Sequence, residues 1–350
     1  MPAQDIVEAV NGNESEGVEF AKGMTDAPEL PSYDDLPPVP NMPHGCTWGL
    51  WDSKGHRDEM GTLNLLTPST ILAAKEEIQY GLSVAINWSL DNCETPHSNR
   101  RKPNHRIIPL LDWVGHDDEI EMNTQSGSQW DGFREHSFAH TVLDSRLNIG
   151  FWKGTGLINH QKHTITAYPI LTSPMQMHQS EMELIVRDLL RVVENVLTCV
   201  DLEWSKRGGI VGRGVLLDYS RWAEKQGIKY SPIERHSISE KDLEAVAAWQ
   251  GTTLRQGDIL LIRSGFVKWY KESSPEARRS GTVDGSSWAG VEGTKDSVAW
   301  LWNKHFSCVG GDANVFEAWP AKDETYSGFN IALELYICDD KIPLTISRTA

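Results

Sequence analysis

Between Ser239 and Asp312 the chain runs twice through the same order of a capped helix, an apolar strand and a polar turn. Ser239-Glu240-Lys241-Asp242 has the form of a capping box, in which a hydroxyl and a carboxylate satisfy each other's orphan N–H groups at a helix start. Leu243, Val246 and Ala247 then form a buried stripe, and Gly251 ends the helix in the position that favours glycine. Gln256-Gly257-Asp258 turns the chain into Ile259–Ile262, whose length and unbroken apolar character predict a buried strand. The second unit is a helix from about 295 to 305, a short strand over 306–309, and Gly310-Gly311-Asp312. Helix–strand alternation of this kind predicts an α/β fold with a mixed sheet.

Upstream, Thr67 as N-cap and Pro68 at the first helical position predict a helix with Ile71, Leu72 and Ile78 on one face, closed by Gly81. Leu82 to Trp88 alternates apolar with polar, as a half-buried strand does. Residues 181–200 carry apolar side chains at helical spacing. Glu and Asp as well as Arg on the polar face favour a core or interface helix over a membrane-surface one. Residues 1–43 are acidic and then proline-rich, the composition of a lead-in that becomes an extended arm against the body.

Composition narrows the function classes. With 33 basic and 49 acidic side chains among 350 residues, the formal charge is −16. That excludes a general phosphate-backbone or anionic-membrane binder, both of which need clustered Lys and Arg, so neither nucleic acid nor membrane is an expected partner. Five widely spaced cysteines without a CxxC predict thiols in a reducing compartment rather than a disulfide framework. No apolar core of a secretory signal appears before Glu19, and the expected location is cytoplasmic. Fourteen tryptophans suggest aromatic walls.

The most informative stretch is His116 to His136, which contains Thr124-Gln125-Ser126-Gly127-Ser128-Gln129-Trp130-Asp131-Gly132-Phe133-Arg134-Glu135-His136. It resembles the signature H-x-G-T-H-x-D-x-P-x-H of the cyclase (kynurenine formamidase-like) superfamily, in its fungal and bacterial branch. Gln125 and Gln129 stand at the first two His, Gly127-Ser128 at Gly-Thr, Asp131 at Asp, and Glu135 at the final His. The resemblance extends to Leu30–Pro38, Met42–Gly45, Gly61–Pro68, Arg207–Val215, Gly257–Gly265, Val309–Asp312 and Glu317–Pro320.

The resemblance implies a single cyclase-like domain of the swivelling β/β/α type over residues 44–350, behind the 1–43 arm. Residues 141–203 and the 321–350 tail match the family pattern poorly; Asn330 and Ile346 stand where distal His and Glu are expected, so the active site need not be complete. It also implies a homo-oligomer and a metal-dependent hydrolase of a small amide, formamide or lactone, or an enzyme of related cyclisation or dehydration. The setting would be fungal secondary metabolism or aromatic catabolism. Metal-activated water is the family's nucleophile.

Carried over residue by residue, Asp131 is expected as catalytic base or metal ligand, with Gln125 and Gln129 beside it on the metal, the water or the substrate. Glu135, or His136 through a one-residue shift, is expected to transfer the proton. The amide carbonyls are poor zinc ligands, so Mn²⁺ or Mg²⁺ suits the set better than Zn²⁺. The competing possibilities are a metal-free acid–base pair, or a structural remnant whose owner binds a small molecule without turning it over.

Trp130, His236 and Asp312 complete the expected substrate contacts. For Asp312, capping or salt bridging is the alternative, as simple solvation is for His236. His44, with Trp48 and Trp51 near, is a candidate pocket wall.

Overall fold

The computed structural model describes residues 28–39, 44–47, 49–53, 58, 60–89, 91–97, 100–110, 115–123, 126–127 and 207–322, with the backbone of 158–159, 164–165 and 336–338. In chain order the strands are β1 (Asn104–Leu110), β2 (Gly115–Glu121), β3 (Ile158–Asn159), β4 (Thr164–Ile165), β5 (Gly214–Leu217), β6 (Ser237–Ile238), β7 (Ile259–Ile262), β8 (Gly290–Val291), β9 (Cys308–Gly311) and β10 (Tyr336–Cys338). The helices are α1 (Pro68–Ala74), α2 (Tyr219–Gln226), α3 (Glu240–Gln250), α4 (Phe266–Glu272), α5 (Pro275–Gly281) and α6 (Lys295–Asn303).

The centre is a parallel sheet in the order β10-β9-β7-β5. Val215, Leu260 and Val309 lie side by side across it. A parallel strand covered on both faces needs an apolar run rather than an alternating one, which is why Ile259–Ile262 reads as it does. Around it Leu217, Ala223, Ile238, Leu243, Val246, Leu260 and Phe306 are fully buried in one cluster. Smaller pairs complete the set: β6 with β8 in parallel, and β1 with β2 and β3 with β4 antiparallel.

Local signals hold well in this half. Ser239 Oγ accepts from Asp242 N at 3.2 Å and Asp242 Oδ2 accepts from Ser239 N at 2.9 Å, closing the capping box. Gly251 ends α3 with φ 67°, and Leu243, Val246 and Ala247 are its buried stripe. Gly257 is required on two counts. Its φ is 82°, and a Cβ there would sit 2.7 Å from Thr70 Cγ2. Beside it the buried Asp258 carboxylate accepts from Arg213 Nη1 at 2.8 Å and from Arg255 N at 2.7 Å, locking the entry to β7.

The N-terminal half departs from expectation. Thr67 caps α1 and Pro68 opens it, but the helix gives way to a 3₁₀ turn at Lys75–Glu77, and both Leu72 and Ile78 are exposed. Leu82–Trp88 forms no strand and pairs with none among the described residues, and Leu82 and Val84 face solvent. Alternation specifies which side chains share a face; it supplies no partner for the backbone. The helix expected at 181–200 lies outside the described residues. The second helix–strand unit is shifted by about two residues: α6 stops at Asn303 and β9 begins at Cys308 rather than Phe306, because Lys304 to Ser307 form the connecting turn.

Residues 28–36 lie along α6. Tyr33 is buried, its N–H donates to Asn303 Oδ1 at 2.7 Å, and Trp302 Nε1 donates to Pro31 O at 2.9 Å. No helix among the described residues is long and apolar enough to cross a membrane.

Candidate active site

Strand β2 leads directly into the block that carries the signature resemblance. Ser126 is buried, with its Oγ donating to Asn123 O at 2.6 Å and its N–H to the same oxygen at 2.9 Å, so the block opens on a tight turn. Gly127 follows it. Gln125, Gln129, Trp130, Asp131, Glu135 and His136 lie outside the described residues. Among the described residues no group of three or more His, Cys, Asp or Glu is placed to hold a metal ion.

Of the remaining two expected site residues, Asp312 directly follows β9, and His236, just before β6, meets Tyr219 beyond the carboxyl end of β5; ligands of open α/β sheets bind at such carboxyl ends. Asp312, just after β9, is fully buried. Its Oδ1 accepts from Ser264 N at 2.6 Å, Ser264 Oγ at 2.8 Å and Gly265 N at 3.1 Å, and its Oδ2 from Val267 N at 3.4 Å. The carboxylate therefore organises the turn between β7 and α4, where Gly265 adopts φ 95°. Burial pushes its proton affinity up, while the Ser264 hydrogen bonds and the charge of Arg263 pull it back. This is the capping alternative weighed for Asp312, seen at full strength.

His236 stands among two tyrosines. Its Nε2 is 2.7 Å from the Tyr219 hydroxyl, and its ring stacks on Tyr230 at 4.4 Å with planes 19° apart. The Tyr230 hydroxyl donates to Ser264 O at 2.5 Å. One connected chain of contacts thus joins His236 through Tyr230 and Ser264 to Asp312. Burial holds His236 below its usual range, against the pull of Asp242. Burial likewise pushes Tyr219 up to about 12 and raises Tyr230 further. On the other side Arg263 Nη1 donates to Asp218 Oδ1 at 2.8 Å, so the cation at the strand end is already paired.

Tyr219, Tyr230 and Arg263 were absent from the expected site. The available signal was position: Tyr219 follows the apolar strand Gly214–Leu217 by two residues, and Arg263 follows Ile262 directly. His44 does not stand as an open wall. Its Nε2 lies 2.9 Å from Tyr33 O, and the Tyr33 hydroxyl donates to His44 O at 3.1 Å, which ties the 28–36 segment down. Trp51 packs edge-on against Trp302. Trp88, Trp269, Trp288 and Trp319 do form an aromatic cluster, around α4.

The model of the family described as "Putative cyclase" matches residues 80–318, which is 239 of the 350 residues. The chain belongs to the cyclase family. Within it, a crystal structure of a novel cyclase is similar over 84% of this chain and 85% of its own, with a TM-score of 0.56 and 22% identity, which shows a shared fold. Isatin hydrolase A from Ralstonia solanacearum aligns over 78% of this chain and 84% of its own, with a TM-score of 0.41 and 13% identity. An isatin hydrolase bound to the product analogue thioisatinate aligns over 78% and 85%, with a TM-score of 0.41 and 13% identity. No curated protein matches the chain. The mixed α/β architecture expected from helix–strand alternation is thus also the architecture of a cyclase-family structure.

Proposed function

We propose that this cyclase-family chain is a hydrolase that attacks the carbonyl of a small amide, formamide or lactone with water, or promotes a related cyclisation or dehydration. The family match across residues 80–318 carries the reading, because it takes in both the signature block and the carboxyl edge of the parallel sheet. In the hydrolytic case a water oxygen bonds to the carbonyl carbon, the C–N or C–O bond breaks, and the leaving atom takes up a proton. Asp131 draws the proton from the water, and Glu135 or His136 delivers one to the leaving group. Trp130 and His236 contact the substrate. Gln125, Gln129 and Asp131 would hold a divalent ion through oxygen alone, a set that suits Mg²⁺ or Mn²⁺, and the ion would acidify the water.

The architecture in this reading is one swivelling β/β/α domain over residues 44–350 behind a short arm, assembled as a homo-oligomer in the cytoplasm. The buried thiols of Cys46, Cys93 and Cys308 support a reducing location. The test is turnover of a panel of carbonyl compounds (a cyclic amide such as isatin, an N-formyl arylamine, an aryl lactone) by protein purified without chelator, with and without added Mn²⁺. Hydrolysis of at least one member, lost on EDTA and restored by Mn²⁺, is expected; turnover indifferent to EDTA removes the metal from the account.

A second reading rests on one observation: amides replace both signature imidazoles at Gln125 and Gln129. In it the chain binds the small carbonyl compound without turning it over. Saturable binding of panel members, detected by calorimetry, with no product under any metal condition would favour this binder.

A further inference from the structure

We propose that Tyr219 is a positioning residue that fixes His236 as a neutral imidazole with its proton on Nδ1, so that His236 offers an N–H donor to a carbonyl or carboxylate oxygen of the substrate. The substrate part of this inference rests on the hydrolase reading above; the tautomer part rests on geometry alone.

The Tyr219 hydroxyl is buried, and its one hydrogen-bond partner among the described residues is His236 Nε2, at 2.7 Å. A neutral imidazole has one nitrogen that donates and one that accepts. If Nε2 donated, the phenol's own proton would be left in the interior without an acceptor, a costly arrangement for a buried polar group. If the phenol donates to Nε2, both groups are satisfied and the imidazole proton resides on Nδ1. The phenol keeps its proton at any physiological pH, since burial pushes Tyr219 up to about 12. The imidazole stays neutral because burial outweighs the attraction of Asp242.

The donor is also aimed and held. Tyr230 stacks on the ring at 4.4 Å, and its own hydroxyl is anchored on Ser264 O, so the imidazole plane is clamped from one face. Nδ1 has no hydrogen-bond partner among the described residues, and His236 is partly exposed. Tyr219 follows β5 and Ser264 follows β7, so the cluster sits outside the carboxyl ends of two neighbouring parallel strands. The groups facing His236 are Tyr219, Tyr230 and Asp242; none of them offers Nδ1 a fixed charge partner in hydrogen-bond contact. A neutral, oriented N–H polarises a carbonyl without itself titrating near pH 7.

The test begins with ¹⁵N-labelled full-length protein and long-range ¹H–¹⁵N spectra of the imidazoles at pH 7.5. The expected result is the Nδ1–H tautomer for His236 in the wild type and a shift toward Nε2–H in Tyr219→Phe. An Nε2–H tautomer in the wild type, or no change in Tyr219→Phe, overturns the positioning role.

The second arm uses two His236 variants, because an Asn amide mimics the Nδ1 donor and a Gln amide mimics Nε2. With a hydrolysed panel member, His236→Asn is expected to keep kcat/KM within about tenfold and His236→Gln to lose about a hundredfold, a range ordinary for one lost donor or proton-transfer group. Equal losses overturn the donor assignment while leaving the hydrolase reading in place. If the wild type hydrolyses no member, titration with benzoate decides the donor role. A downfield shift of the His236 Nδ1 proton supports it, and saturation of the titration without any change at His236 overturns it.

Discussion

Residues 207–322 and residues 60–121 carry similar proportions of apolar residues and do different things with them. In the first stretch Leu217, Leu243, Leu260 and Phe306 are completely buried around the parallel sheet. In the second lie eight of the eleven large hydrophobic residues exposed among the described residues, including Leu82, Val84, Ile107 and Ile120. Among the described residues the β1–β2 ribbon pairs only with itself, and it is exposed along nearly its whole length. The lesson concerns where a pattern finds its partner. A run such as Ile259–Ile262 is specified by neighbours within its own α/β unit, whereas an alternating segment needs a second surface supplied from elsewhere in the chain. Stability should therefore reside in the parallel half, and the family's chemistry in the block to which β2 leads.

That contrast can be broken at several points. The largest effect is expected from Asp312→Ala, which leaves the N–H groups of Ser264 and Gly265 and the Ser264 hydroxyl without their buried acceptor. A loss of about 4 kcal/mol, by urea denaturation, is the expected outcome for a severed buried network. Next, Leu260→Ala should cost about 3 kcal/mol through lost burial and a cavity. Ile107→Ala on the exposed ribbon should cost under about 0.5 kcal/mol; similar costs for the two would erase the distinction between the halves. Ser239→Ala, which removes the capping box of α3, should cost about 1 kcal/mol.

The smallest expected effect is on pH dependence. Burial lowers the proton affinity of both His236 and His305. The unfolded chain then binds protons more readily than the native state near a His value of about 6.5, so each His contributes stability at neutral pH that is lost as pH falls below that value. His305 sits at φ 53°, a conformation Asn tolerates, so His305→Asn should fold and flatten the acid-side decline. Urea midpoints at pH 5.0 and 7.5 measure it, and an unchanged decline would remove His305 from this account.

Much of the parallel half was readable because its signals are local. The capping box at Ser239, the stop at Gly251, the turn at Gly257 and the run at Ile259 each involve residues close in sequence. The pairing of His236 with Tyr219 was not readable. It joins side chains 17 residues apart whose meeting depends on how α2 and the Tyr230–His236 segment pack on the sheet. For Asp312 the sequence offers a site role and a capping role side by side, and the four donors on its carboxylate, all from residues 264–267, become visible only in the structure. At the other end, the strand pattern of Leu82–Trp88 states a face and says nothing of its partner.

The most direct test of the central claim is the turnover of the carbonyl panel by wild type and Asp131→Ala, both supplied with Mn²⁺ and both shown to be folded by circular dichroism. The account predicts hydrolysis by the wild type and a loss of at least about a hundredfold in Asp131→Ala, as expected when a catalytic acid–base group is removed. Equal rates for the two proteins would contradict it.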